Sequence, residues 1–384
     1  MTSPLRLLLA LGVVASISSP LAAARQTAAP AKQPAQPAGP PAATDRPKPA
    51  AAEFTPAWRY SIDAKALWRA IGHYSALQLQ LSRIQKLLPA HADAARTAAA
   101  RLSTALDPGF EELKKELRRR APTSFEKDFL TVEKNTLEQA EKMPLKEDEV
   151  RAAFESGRWD AKNLPADVLA PLLTFTPKYA EKPELLIADG FTLETTAAIP
   201  NSADLRASIS IPRSWINDAN SKPPQALWAV KSNMGKGPAI IVLLVTPNQQ
   251  SAASTTPELI LKGIEQQQEP VGLTRVSAEI MSSGGRQFVA KVCDGLVDNG
   301  KLAFDQRLLS LIWAEKGYMV NLTLAVGLTR DSQQRPIDKA LLVRVLEAHR
   351  ELLNEMAATL KIEPAPPAET PQTTNPPAAK PPAK

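Results

Sequence analysis

An α+β protein is predicted, an N-terminal helical bundle followed by a mostly antiparallel sheet flanked by helices, on three observations. From Ala57 to about Ala180 the apolar residues recur at spacings of three and four. After Pro183 the period falls to two. Strands then follow one another with only two helices among them, which favours an antiparallel sheet over a doubly wound fold.

The first helix is carried by Leu67, Ile71, Tyr74, Leu77, Leu81, Ile84 and Leu88, one stripe that ends at Pro89. An alanine-rich helix over 91–106 is expected to pack back on it, because small side chains allow close approach. Asp107-Pro108 reads as an N-cap and first-turn proline opening a separate helix from Phe110 to Arg120. Thr123 and Glu126 form a capping box for the next helix, whose stripe is Phe129, Val132, Leu137 and Ala140. Helices at 145–156 and 165–174 complete the bundle, with Gly157 as a C-cap. Trp58, Trp68 and Trp159 are expected to anchor packing.

In the second half, strands are expected at 205–211, 226–231, 239–246, 273–281, 286–293, 305–314 and 317–327. Helices are expected at 256–268 and from Ile337 to Leu360. In the second of these Leu342, Val345, Leu346, His349, Leu352, Leu353 and Met356 share one face that should cover the sheet.

The ends are of a different character. Residues 1–24 read as an export signal: Arg6, an apolar run from Leu7 to Ile17, a break at Ser18-Ser19-Pro20, then Ala22-Ala23-Ala24 as a cleavage site. The apolar run is shorter than the roughly twenty residues of a spanning helix, although an uncleaved anchor is the alternative. Residues 25–52 hold seven prolines and 364–384 hold eight, so both read as extended low-complexity spacers. The division that follows is signal 1–24, linker 25–52, helical domain 53–180, α+β domain 185–362 and tail 363–384.

Charge excludes a nucleic-acid footprint on the folded parts. The chain carries +6 overall, yet residues 53–180 hold 20 Lys and Arg against 18 Asp and Glu, and residues 181–363 hold 19 against 20. Arg118-Arg119-Arg120 ends a helix that opens on Glu111-Glu112, which complements the helix dipole. Cys293 is the single cysteine, so there is neither an intramolecular disulfide nor a cysteine metal site.

The chain carries no catalytic constellation that rises above chance. The three histidines, His73, His91 and His349, lie on separate predicted helices, without metal-binding spacing, and read as boundary or core residues. Ser124-Phe125-Glu126-Lys127 has the Ser-x-x-Lys spacing of penicillin-interacting enzymes, but the companion Lys-Thr-Gly is missing and Ser124 stands at a helix entrance. Gly235-Lys236-Gly237 reads as a hairpin loop, not a phosphate cradle. No catalytic, cofactor-binding or metal residue is assigned, and no cofactor is implied.

The strand Ser208-Ile209-Ser210-Ile211, ending in Pro212-Arg213-Ser214-Trp215, resembles the Ile-Pro-x-x-Trp opening of PsbP-like domains. That group includes the extrinsic photosystem II subunit and many small exported bacterial proteins. The order of strands and helices from 190 to 360 is also similar, including Gly284-Gly285-Arg286-Gln287-Phe288 at the start of a strand. The resemblance implies a PsbP-like sandwich acting as a binding or assembly module, with Trp215 capping the sheet edge and Gly284 and Gly285 in a tight turn. It leaves the helical half unaccounted for.

The expected function is therefore a non-enzymatic, periplasmic or secreted module that binds a protein partner in the envelope. Two alternatives are an envelope hydrolase, with a serine, histidine and carboxylate in a cleft near 160–220, and a carrier of an apolar ligand between the sheet and the last helix.

Overall fold

The computed structural model describes residues 62–199, 202, 205–217, 226–248, 255–298, 303–331 and 333–364. The expected signal, the 25–52 linker, nearly all of the proline-rich tail and Trp58 lie outside these residues. The architecture is α+β.

The helical half contains α1 (Ala64–Leu87), α2 (Ala92–Arg120), α3 (Phe125–Lys142), α4 (Glu147–Glu155), α5 (Ala166–Phe175) and the short α6 (Pro177–Glu181) and α7 (Leu185–Ala188). The predicted stripe of α1 is real: Leu67, Ile71, Tyr74, Leu81 and Ile84 are buried against α2 and α5. Gly157, in the left-handed region at φ +66°, ends α4, and the amides of Gly157 and Arg158 return to Phe154 and Ala153.

Four local expectations are corrected. The alanine-rich segment and the following helix are one continuous helix, α2, with Pro108 inside it. An internal proline forfeits a hydrogen bond, and here packing offsets it. Gly109 lets α5 approach so closely that a Cβ at this position would lie 2.1 Å from the Leu172 carbonyl oxygen. Asp107 does not cap a helix; it accepts a hydrogen bond from the Tyr74 hydroxyl. The capping box is also absent: α3 starts at Phe125 with no side-chain cap, and Glu126 instead takes both Nε and Nη2 of Arg118. Leu137 of the expected α3 stripe is 44% exposed, whereas Phe129 and Val132 pack partly buried against the core between the buried Phe125 and Ala140.

The second half forms two antiparallel sheets where one was expected. A three-stranded sheet has the order β1-β2-β10, from β1 (Thr192–Ala198), β2 (Leu205–Pro212) and β10 (Lys361–Pro364). A seven-stranded sheet has the order β3-β4-β5-β9-β8-β7-β6. Its strands are β3 (Ile216–Asn217), β4 (Ala226–Lys231), β5 (Ala239–Pro247), β6 (Leu273–Ser283), β7 (Arg286–Asp298), β8 (Ala303–Glu315) and β9 (Tyr318–Thr329).

The two faces of the large sheet are covered by different helices. α9 (Lys339–Thr359) lays Leu342, Leu346, Leu352, Leu353 and Met356 on the side of Val320, Leu322 and Leu324. Burying such side chains contributes about 1.5–3 kcal/mol each. α8 (Pro257–Gln266) covers the β6–β8 end of the opposite face, where Ile264 meets Val289, Ile312 and Met319. Gly284 and Gly285 have φ of +58° and +76°, as a tight turn between β6 and β7 requires. Arg286 after them donates to the carbonyls of Ala357 and Leu360, a cation at the C-terminal end of α9.

A single cluster of buried side chains runs from Ile62 through Leu172 and Trp215 to Ile362. α5 makes this continuity possible, because Val168 to Thr174 are all buried and a helix apolar on every side needs neighbours all round. It meets α1 and α2 on the bundle side and the Asn233–Gly235 turn of the sheet on the other.

Candidate functional site

A surface pocket of about 400 Å³ opens between α2 and the segment joining α4 to α5. One wall is a single face of α2, built from Asp93, Ala94, Thr97, Ala98 and Arg101, which helical periodicity brings into register at intervals of three and four. The facing wall is Phe154, Gly157, Trp159 and Asp160. The turn at Gly157 is what brings Trp159 and Asp160 back toward α2, after α4 has ended.

Aromatic side chains stiffen the facing wall. Phe154 lies between His91 and Trp159, at ring-centroid distances of 6.2 and 6.1 Å. The Arg158 guanidinium stands 5.9 Å from the Trp159 ring centroid. Trp159 is buried, and its indole Nε1 has no hydrogen-bond partner. His91 Nε2 is 3.7 Å from Glu147 Oε1, beyond hydrogen-bond reach.

The ionisable groups of the lining carry both signs. Asp93 pairs with Arg96 at 3.0 Å in an exposed ion pair, worth about 0–1 kcal/mol. Arg101 and the Asp160 carboxylate have no partner among the described residues. The pocket is thus an aromatic and alanine-lined hollow with free charge at its rim, suited to holding a ligand rather than to activating a nucleophile.

The residues singled out in the sequence are scattered elsewhere. His73 is exposed on α1. His349 is buried in α9, where its Nδ1 lies 2.8 Å from the Val345 carbonyl, and burial depresses its basicity. Ser124 precedes α3 without making a side-chain cap hydrogen bond, and Lys127 is exposed in the first turn of that helix. Cys293 is 2% exposed, and burial foremost, with Glu269 beside it, pushes its thiol up to about 11.

The region 160–220 does not form a hydrolytic centre among the described residues. Ser214 and His349 are both buried there with Trp215 against the histidine at 6.1 Å, but Ser214 Oγ has no hydrogen-bond partner, so the two are not coupled. The Pro212-Arg213-Ser214-Trp215 segment is a structural joint. Arg213 donates to the carbonyls of Lys162 and Thr192, tying the helical half to β1. Trp215 stands at the sheet edge, next to β3, and is turned inward onto α9.

A second joint was not anticipated. Lys236, at the tip of the β4–β5 hairpin, reaches Glu116 of α2 at 3.3 Å and lies 4.2 Å from the centroid of the Phe175 ring. Glu116 also accepts from Arg119 and Arg120. Burial pushes the Glu116 carboxyl up, but the Arg119 hydrogen bonds, the Lys236 charge and the Arg120 hydrogen bond outweigh it and hold it down at about 2. The arginine run therefore fastens the junction as well as complementing the α2 dipole.

Among the described residues no helix is long and apolar enough to cross a membrane. No family model matches the chain, and no curated protein does. Solved structures match at low similarity. A Bacteroides thetaiotaomicron protein is 11% identical with a TM-score of 0.26, covering 41% of this chain and 45% of its own. Mycobacterium tuberculosis LpqN, described as involved in cell envelope biogenesis, is 13% identical with a TM-score of 0.26, covering 47% of this chain and 95% of its own. The Saccharomyces cerevisiae Ran-binding protein Mog1p is 8% identical with a TM-score of 0.27, covering 44% and 95%. The chain thus spans less than half of the Bacteroides protein and nearly all of the other two. Likeness at this level assigns the chain neither a family nor a function.

Proposed function

We propose that this chain is an exported, non-enzymatic binding or assembly module, and that it holds a protein partner of the cell envelope through the pocket between α2 and the α4–α5 connection. The observation that carries the reading is the pocket itself: aromatic walls supply contact area, and unpaired charges at the rim supply orientation. Export rests on residues 1–24, and the proline-rich spacers at both ends suit a folded part held away from a surface. The Ile-Pro-x-x-Trp segment supports a PsbP-like reading of the second half, since it lies at the joint of both sheets and α9.

The test is a photo-crosslinking residue placed at Thr97, on the pocket wall, and separately at Glu355, exposed on α9. In intact cells a discrete adduct is expected from position 97 alone. No adduct there, or the same adduct from both positions, overturns the reading. A hydrolytic activity of the purified protein that is lost on changing one polar residue would also overturn it.

A further inference from the structure

We infer that the pocket takes an amphoteric ligand of tripeptide size, with an ammonium at the Asp93 end, a carboxylate at the Arg101 end and an apolar group between them against Phe154 and Trp159. This rests on the pocket being the binding site proposed above and goes beyond it, adding a free short peptide as an occupant that would compete with the protein partner.

The first ground is spacing. Asp93 and Arg101 are eight residues apart on one face of α2, about 12 Å at the helical rise of about 1.5 Å per residue. An extended tripeptide spans about 10 Å at about 3.3–3.6 Å per residue, so its two ends fall near the two charges. Thr97 lies midway, where its hydroxyl can meet a peptide group. Ala94 and Ala98 leave room for the ligand on the helix surface.

The second ground is the state of the charges. The basic side chains of α2 are otherwise matched: Lys114 with Glu111, Lys115 with Glu112, Arg118 with Glu126, and Arg119 and Arg120 with Glu116. Arg101, facing the pocket, is left without an acid among the described residues. A guanidinium presents a planar fork suited to a carboxylate. Asp93 is held only by Arg96, in a pair whose side chains are 92% and 72% exposed, so an incoming ammonium can displace that partner at little cost. Asp160 adds a second free carboxylate to the lining.

The test titrates the purified protein with Ala-Phe-Ala bearing free termini, with its N-acetylated form and with its C-terminal amide, by isothermal calorimetry and ligand-observed NMR. Each cap is expected to weaken binding about fivefold. In Arg101→Gln the free and amidated peptides should become equivalent while the acetyl effect persists, and in Asp93→Asn the reverse should hold. Thermal melts matching the unsubstituted protein show that both variants are folded. Equal binding of capped and free peptides overturns the inference and leaves the pocket as a binding site. No binding by any tripeptide also overturns it, whereas loss of the position-97 crosslink is what overturns the function reading.

Discussion

Replacing Gly109 by alanine tests the close crossing of α2 and α5. Both Gly109 and Gly263 lie inside helices, α2 and α8, and in the absence of neighbours each should gain about 1 kcal/mol from alanine. Their surroundings are opposite. A Cβ at Gly109 would lie 2.1 Å from the Leu172 oxygen and 2.5 Å from Thr176 Oγ1, whereas one at Gly263 meets nothing within 4 Å. To restore an ordinary contact of 3.4 Å, α2 and α5 must part by about 1.3 Å, which strains the core on both sides of α5. Overpacking of this kind costs about 3 kcal/mol, the upper end of its usual range, so Gly109→Ala should lose about 2 kcal/mol net. At about 2–4 °C per kcal/mol for a chain of this size, Tm should fall by about 4–8 °C. Circular dichroism melts of Gly109→Ala, Gly263→Ala and the unsubstituted protein decide the matter. If Gly109→Ala melts at or above the unsubstituted protein, as Gly263→Ala should, the close crossing is wrong.

Three further outcomes are expected. Glu116 is depressed from an ordinary 4.5 to about 2, so its carboxylate contributes stability that is full above about pH 4.5 and lost as pH falls toward about 2; the urea-midpoint gap between the unsubstituted protein and Glu116→Gln should close over that window, and a constant gap would refute the assignment. Cys293, buried and with its thiol pushed up to about 11, should resist Ellman's reagent at pH 8 until guanidinium unfolds the chain; prompt labelling of the native protein would contradict the burial. Arg213→Ala removes hydrogen bonds to the Lys162 and Thr192 carbonyls, each worth about 1.5–3 kcal/mol for a charged donor, and should raise the rate of tryptic cleavage between 178 and 189 under native conditions, where an unchanged rate counts against the joint.

Periodicity and turn residues made the regular elements legible. The α1 stripe and the α9 face are read directly from side chains that recur because one side of each helix is buried, whereas the seven longer strands are delimited by the turn residues between them, since β4, β5 and β9 are buried along nearly their whole length. β1 escaped because its Thr192–Ala198 sequence is mostly exposed at a sheet edge and carries little alternation. β10 escaped because four residues after a helix give no pattern to read. Pro108 misled for a different reason: local propensity opposes it, and only Leu172, distant in sequence, shows why the helix continues. The pocket and the Glu116–Lys236 joint are of the same kind. Their halves lie far apart along the chain, 120 positions for Glu116 and Lys236, so no spacing in one segment encodes the meeting. Trp159 packs into the core as its sequence context predicts, and nothing local in the sequence reveals that its outer side forms a wall.

The burial of α5 on every side has a bearing on how the molecule can be taken apart. Cutting the chain after residue 181 would leave the helix attached to its bundle but stripped of the hairpin tip, so that Phe175 loses the Lys236 cation beside it. The liberated fragment would carry a greasy stripe where the sheet had been, and the remaining piece would present an uncovered tip bearing a lysine without its glutamate. Neither half keeps its apolar surface covered, so useful truncations begin at the proline-rich ends and leave the connection at 176–190 whole.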